Sequence, residues 1–246
     1  MQQSTPFHIR IAKKLFGDLA YRMFLWRGGL ENWFYSAIAY QFEKSEEGWS
    51  PFGNYYEFGV GWGRSMSAYL RAQKKFCNIT KTEPSKFQIF GFDSFEGLPE
   101  SKRLEDQHPL WKKNEFSYDI EEVKKKISNG GLDLNKFNIR FIKGGFVDSL
   151  TTSLMDEIKK FPPSIVTIDV DYYSSTKIVL EWMEPILKSG TLFYFDDIWA
   201  FHGNPHYGAL KAIDEFNKTF DGQLKPFPVL GMAGNTYIYS RKEFEY

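Results

Sequence analysis

Residues 57–63 read Glu-Phe-Gly-Val-Gly-Trp-Gly and directly follow an apolar run that is typical of a first β-strand. Glycines at alternate positions allow a tight turn in which bare backbone N–H groups approach a ligand. The next stretch, Arg64 to Phe76, has the pattern of a helix. A strand, a glycine-rich turn and a helix in this order predict a nucleotide-like cofactor site. A dinucleotide-binding GxGxxG would need its third glycine at position 64, where this chain has Arg64, so that fingerprint is excluded.

From Tyr55 onward, strand-like and helix-like patterns alternate along the chain. Strands are predicted near 55–60, 87–93, 138–143, 164–170 and 191–196, and helices near 64–76, 119–128, 149–160, 174–188 and 207–220. Repeated strand–helix units predict an α/β fold with a doubly wound parallel sheet. Residues 228–241 instead predict a terminal hairpin, with a Gly-Met-Ala-Gly-Asn turn between two strands. The polar segment from Ser94 to Asn114 is long enough to form a lid.

Composition limits the class of protein. The 246 residues allow one domain over 51–246 and an N-terminal helical extension over 1–50. The 31 basic and 31 acidic side chains give a formal net charge of zero, so nothing electrostatic favours a nucleic-acid partner. The single cysteine, Cys77, excludes an internal disulfide and favours a reducing cytosol. No stretch approaches the ~18 apolar residues of a membrane span, and no secretory leader is recognised. We therefore expect a soluble, unprocessed, cytoplasmic protein.

The N-terminal region predicts two helices. Apolar residues recur at helical spacing from Ile9 to Trp26 with basic residues between them, and a second helical run covers Glu31 to Phe42. The first helix is amphipathic, and its basic face would also permit docking on a membrane surface. Packing on the core or on a second subunit is favoured, which leaves open a homodimer through these helices.

Aspartates end three of the predicted strands. Asp93 ends the second strand, Asp169 and Asp171 the fourth, and Asp196 and Asp197 the fifth. Ligands of doubly wound sheets bind beyond these carboxyl ends, where Asp93 could accept hydrogen bonds from ribose hydroxyls. The other four carboxylates would repel one another unless a cation or protons compensate. Oxygen-only ligation favours Mg²⁺ or Mn²⁺ over Zn²⁺, whereas the alternative is that some of these aspartates cap helices.

Several motifs in order resemble one enzyme family. The chain is similar to the macrocin O-methyltransferases, a family of class I S-adenosylmethionine-dependent methyltransferases that methylate sugar hydroxyls on antibiotics and related glycosides. The resemblance covers about residues 54 to 220 and rests on EFGVGWGRS, GFDSFEGLPE, EEVKKKI, IRFIKGGFVDSL, IDVDYYSST, FDDIW and ALKAIDEF. It implies a mostly parallel, seven-stranded Rossmann-like sheet with an antiparallel last strand. It also implies methyl transfer from S-adenosylmethionine to a hydroxyl.

The resemblance assigns roles to individual residues. It implies a metal ion held by Asp169, Asp196 and Asp197, with Asp171 beside it as a base or supporting group. It implies a cofactor site formed by Glu57, Gly59, Gly61, Gly63, Ser65, Asp93 and Ser94, with Gly145 and Phe146 near the adenine. His202 and His206 are further candidates for the base, because a nearby imidazole can take the proton of an acceptor hydroxyl. The chain departs from the family pattern at Trp62, Val170, Ser174 and 199–206.

The acceptor is expected to be a sugar hydroxyl of a glycoside or of a polysaccharide precursor. We place it between residues 94–118, hereafter the lid segment, and the loop 199–206. Their aromatic residues could stack on a sugar ring or could simply fold the lid segment: Trp111, Phe116, Trp199 and Phe201. Two other functions stay open at this point. The D-x-D pattern also suits a nucleotide-sugar glycosyltransferase, and the departures from the family pattern would suit a cofactor-binding protein without activity.

Overall fold

A computed structural model describes residues 29–48, 51–227 and 235–241. The strands are β1 (Tyr55–Phe58), β2 (Gln88–Asp93), β3 (Asn138–Lys143), β4 (Ile165–Ile168), β5 (Leu192–Phe195), β6 (Gln223–Pro226) and β7 (Thr236–Ser240). The helices are α1 (29–46), α2 (Arg64–Thr80), α3 (Ile120–Asn129), α4 (Phe146–Ser149), α5 (Thr152–Ile158), α6 (Tyr173–Met183) and α7 (Gly208–Thr219). The predicted helix Ile9 to Trp26 lies outside the described residues, so the homodimer through it stays a prediction.

The strands form one seven-stranded sheet in the order β3-β2-β1-β4-β5-β7-β6. Strands β1 to β5 pair in parallel, whereas β7 runs antiparallel to both β5 and β6. The predicted doubly wound sheet with a terminal antiparallel hairpin is therefore confirmed. The strand order reverses between β1 and β4, and such a switch point leaves a crevice at the carboxyl ends of the strands.

The boundaries of three predicted elements differ from the structure. The hairpin's first strand is β6, which ends at Pro226, ahead of the predicted start at 228. The predicted helix 149–160 corresponds to α5, which begins later because Thr151 caps it by accepting a hydrogen bond from the Leu154 N–H, and α4 ends where the prediction began. The predicted helix 174–188 gives way after Met183 to a short 3-10 turn that contains Pro185, a residue without an N–H for the helical ladder.

Two apolar clusters cover the two faces of the sheet. Tyr56 and Phe58 of β1 face the cluster formed with α5, α6 and α7, whereas Tyr55 faces the cluster formed with α1 and α2. Burial on both faces explains why β1 reads as a continuous apolar run apart from Glu57, which is also fully buried. The helix α1 belongs to this core, since the Trp33 Nε1–H donates to Thr236 Oγ1 at 2.8 Å. None of the described helices is long and apolar enough to cross a membrane.

Candidate active site

A cleft of about 1550 Å³ opens at the carboxyl ends of β1, β2, β4 and β5. Most of the residues expected at a site line it: Gly59, Gly61, Gly63, Ser65, Asp93, Ser94, Gly145, Phe146, Asp169, Asp171, Asp196 and Asp197. Residues from four separate strand ends and from the helix α4 therefore meet in one space. Glu57, His202 and His206 are not among the described residues that line it.

The glycine turn (residues 59–63) leads from β1 into α2 and packs tightly against the neighbouring strand. Gly59 has a φ of +82°, and a Cβ atom there would lie 1.7 Å from the carbonyl oxygen of Asp169. Its N–H donates to the Phe92 carbonyl at 2.9 Å, so the turn is fixed on the β2 side as well. Gly63, at φ +71°, would bring a Cβ to 2.9 Å from the side chain of Ile127 in α3. Packing against backbone therefore requires a glycine at position 59, whereas at position 63 the obstacle is a side chain that can shift and the left-handed φ favours glycine.

Asp93 ends β2 and organises the turns on both sides of it. Its Oδ2 accepts a hydrogen bond from the Gly61 N–H at 2.8 Å, and its Oδ1 accepts one from the Phe95 N–H at 2.6 Å. Burial raises the pKa of Asp93, although the backbone N–H donors oppose this effect. Each carboxylate oxygen can accept a second hydrogen bond, so Asp93 can still bind hydroxyl groups of a ligand.

Glu57 lies behind the glycine turn and outside the cleft lining. It accepts hydrogen bonds from the Ser65 hydroxyl and from the backbone N–H of Met66, and the Tyr55 hydroxyl lies 2.9 Å from its Oε2. Burial raises the pKa of Glu57 to about 8, against the lowering effect of these donors. Glu57 therefore ties β1 to the first turn of α2, and the structure places it as a support for the site.

The Glu57→Gln variant should gain stability relative to wild type as the pH rises. Because the pKa of Glu57 is higher in the folded state, its favourable contribution is complete below the unfolded pKa and is lost as pH rises through about 8. The glutamine side chain of the variant does not titrate, so the variant does not lose this stability as the pH rises. We expect the difference in unfolding free energy to grow by about 1.4 kcal/mol per pH unit between about pH 5.5 and 7.5. Urea denaturation of the wild type and the variant over this range measures the difference in unfolding free energy, with Glu43→Gln at an exposed position as the control. If the unfolding free energies of the wild type and Glu57→Gln change in parallel with pH, the raised pKa of Glu57 is contradicted.

Three carboxyl groups form an aspartate cluster (Asp169, Asp196 and Asp197) at the ends of β4 and β5. One oxygen from each lies within 4.8 Å of the others. Burial raises the pKa of all three, and the charges of neighbouring aspartates add to this effect for Asp169 and Asp197, so that the pKa of Asp197 reaches about 8. A divalent cation would relieve this repulsion, and an oxygen-only donor set suits Mg²⁺ or Mn²⁺. The residues present therefore fit such an ion.

Asp171 lines the cleft beside the aspartate cluster. Its backbone is left-handed, with a φ of +57°, and the following Tyr172 N–H bonds the Val170 carbonyl at 2.6 Å in a tight turn. Burial raises the pKa of Asp171 to about 6, although a hydrogen bond with the Asp197 carboxyl lowers it. Asp171 and Asp197 therefore titrate together as a hydrogen-bonded pair at the edge of the cluster.

Arg64 and Tyr194 also belong to the site, although the sequence argument did not place them there. Arg64 lines the cleft from the first turn of α2. Burial lowers its pKa to about 10, and the negative charges of Asp196 and Asp169 oppose this effect. The Tyr194 hydroxyl donates to Asp196 Oδ1 at 3.1 Å. In the sequence, Arg64 was visible only as the residue that breaks a dinucleotide fingerprint.

The lid segment covers the cleft, and the loop 199–206 packs against it. Trp111 and Phe116 of the lid segment line the cleft, whereas Trp199 and Phe201 do not. The Phe201 ring meets Trp111 edge to face, with the ring centroids 5.5 Å apart. Phe201 therefore packs against the lid segment and does not face the cleft, which agrees with the alternative that this aromatic residue helps to fold the lid segment. Trp199 is 53% exposed.

Comparisons with known proteins agree with this architecture. Residues 52–222 match the family model described as macrocin-O-methyltransferase (TylF). No curated protein matches the chain. The structure of CalS11, a calicheamicin methyltransferase, is similar with a TM-score of 0.62 at 18% identity, and the match covers 98% of this chain and 87% of that chain. The O-methyltransferase NovP gives 0.57 at 23% identity, covering 85% and 79%. At these identities the likeness shows the fold alone.

Proposed function

The chain belongs to the macrocin O-methyltransferase family, and from this premise we propose that it methylates a hydroxyl of a sugar-containing small molecule or glycan precursor. The methyl donor would be S-adenosylmethionine, and a divalent metal ion would assist. One observation carries the proposal: the glycine turn and the aspartate cluster open into the same cleft. Direct methyl transfer needs the donor and the acceptor to bind side by side in one cleft.

The donor would lie along the glycine turn. The positive end of the helix dipole at the start of α2 favours the carboxylate of the methionine part. Asp93 would accept hydrogen bonds from the ribose hydroxyls, since both of its oxygens retain accepting capacity. Gly145 and Phe146, at the start of α4, would border the adenine. Glu57 would hold the turn in place from behind, through its hydrogen bond from the Ser65 hydroxyl.

The acceptor would bind at the other end of the cleft, above the aspartate cluster. A divalent ion held by the cluster would lower the pKa of a sugar hydroxyl, which is a poor nucleophile while it is protonated. A carboxylate oxygen of Asp171 would take the hydroxyl proton. We favour Asp171 over His202 and His206 because neither histidine lines the cleft.

Size and lining support a sugar-containing acceptor. A cleft of about 1550 Å³ exceeds the ~300–1,000 Å³ of most ligand pockets, so it can hold a donor and an acceptor together. Trp111 and Phe116 give the lid segment flat apolar surfaces for a sugar ring. CalS11 is described as a TDP-rhamnose 3'-O-methyltransferase, a related protein that acts on a sugar. Family membership favours methyl transfer over the glycosyl transfer that the D-x-D pattern left open.

A methyl-transfer screen tests the acceptor class. The protein, S-adenosylmethionine and Mg²⁺ are incubated with glycosides, nucleotide sugars, catechols and carboxylic acids, and methylated products are detected by mass spectrometry. We expect transfer to sugar hydroxyls with at least about a tenfold preference in kcat/KM, because the lid segment provides ring-stacking surfaces. A preference for catechols or carboxylates would refute the sugar assignment. Calorimetry with S-adenosylhomocysteine is the control, since absence of binding would refute the methyl donor itself.

A further inference from the structure

Asp106 is a buried carboxylate in the lid segment that reaches a helix far away in the sequence. It is 1% exposed. Its Oδ1 accepts a hydrogen bond from the Ser174 backbone N–H at 2.9 Å, and its Oδ2 accepts from the Ser174 hydroxyl at 2.7 Å. The Ser101 hydroxyl donates to the same Oδ2 at 2.6 Å. One carboxylate therefore joins two parts of the lid segment to the first turn of α6.

The helix α6 has no cap of its own. Its N-cap residue, Tyr172, makes no side-chain cap hydrogen bond, and its first turn contains no acidic residue. The first N–H groups of a helix need acceptors and favour negative charge. Asp106 supplies both from 68 positions away in the chain. The Tyr172 hydroxyl also donates to the Pro99 carbonyl at 3.2 Å, which is a second link to the lid segment.

We propose that Asp106 is a positioning residue for Asp171, because it fixes the start of α6 and with it the turn that carries the Asp171 carboxylate. Asp171 directly precedes α6 and holds a left-handed backbone that an aspartate adopts at a cost. A turn of this kind persists only where its surroundings hold it. The hydrogen bond from the Tyr172 N–H to the Val170 carbonyl closes the turn on one side, and Asp106 fixes the helix on the other.

The same contacts make the lid segment a fixed wall of the acceptor site. Besides the hydrogen bonds of Asp106, Trp111 of the lid segment packs on Phe201. An acceptor that binds against the lid segment would therefore act directly on the turn of Asp171. This step rests on the proposed function, whereas the hydrogen bonds of Asp106 can be tested without it.

Hydrogen exchange of the full chain tests the positioning role independently of activity. In Asp106→Ala, the amides of Ser174 and Tyr172 should both exchange at least about tenfold faster, while amides in α7 keep their wild-type rates. Faster exchange at Ser174 alone would overturn the positioning role, because the turn of Asp171 would then not depend on Asp106. Rapid exchange of Ser174 in the wild type would also overturn it. These results stand even if the sugar acceptor proves wrong.

Kinetics with the acceptor found in the screen give the second readout. Asp106→Ala should lower kcat by about 30-fold and leave the KM for S-adenosylmethionine within about twofold, since a small displacement of a reacting group is costly. Asp106→Asn, which keeps the shape and can still accept from the Ser174 N–H, should recover most of the loss. Glu105→Ala is the matched control at the adjacent, partly exposed carboxylate, whose nearest cation, the Lys211 ammonium, lies 3.9 Å away, and it should retain most of the activity. Equal losses in the two alanine variants, or no recovery with asparagine, would overturn the proposal.

Discussion

Gly59→Ala is expected to destabilise the fold by about 4 kcal/mol or more, a loss that few single substitutions reach. The added Cβ would lie 1.7 Å from the carbonyl oxygen of Asp169 and 2.6 Å from its carbonyl carbon. Both are backbone atoms of the strand end that leads into the aspartate cluster, so neither can move aside as a flexible side chain would. The left-handed φ of +82° adds a conformational cost of its own.

Gly131→Ala separates these two effects. Gly131 has a nearly identical φ of +83°, but a Cβ there would meet no atom within 4 Å. Gly131→Ala should therefore lose only the unfolding free energy that a left-handed backbone costs an alanine, about 1–2 kcal/mol. Urea denaturation of the two variants and the wild type measures the difference. Equal losses would mean that the end of β4 moves freely, and the tight packing of the glycine turn on Asp169 would be refuted.

Gly59 shows how much of the site can be predicted from residues that are neighbours in the sequence. The order of strand, glycine turn and helix predicted the place of the site, because that order is encoded within some twenty consecutive residues. The reason for the first glycine was not local. It comes from the end of β4, more than a hundred positions later, which meets the turn only after the sheet has formed. A role for Gly59 at the cofactor site stays a prediction, and the structure adds a second requirement, the strand end that lies against it.

Non-local contacts also explain the residues that sequence reasoning missed. The aspartates were found because parallel strand ends meet at one edge of a sheet, a rule that needs only the order of strands. Arg64 approaches the aspartate cluster from a helix, and Asp106 approaches α6 from the lid segment. Neither of these two contacts is indicated by a periodic pattern in the sequence. Phe201 could equally have faced a ligand or the lid segment, and only its contact with Trp111 distinguishes the two.

Removing divalent metal ions is expected to lower kcat on the order of 10³-fold, and Mg²⁺ or Mn²⁺ should restore it. Without a cation, the partly buried carboxyl groups of the cluster relieve their repulsion by binding protons. Burial and the charges of neighbouring aspartates raise the pKa of Asp169 and of Asp197, to about 8 for Asp197, so the cluster as a whole holds about one proton at pH 7. The positive charge of Arg64 near Asp196 offsets only part of the negative charge. Metal binding at pH 7 should therefore release at least about one proton.

The number of protons released gives a test that does not depend on knowing the acceptor. Calorimetric titration of the chelator-treated protein with Mg²⁺, in buffers of different ionisation enthalpy, measures this number directly. Asp197→Asn should reduce it by about one and weaken metal binding, because the asparagine amide carries no proton that metal binding can displace. Asp148→Asn, at an exposed carboxylate elsewhere in the cleft lining, is the matched control and should change neither quantity. Full activity in excess chelator, or metal binding without proton release in the wild type, would refute a metal site at the aspartate cluster.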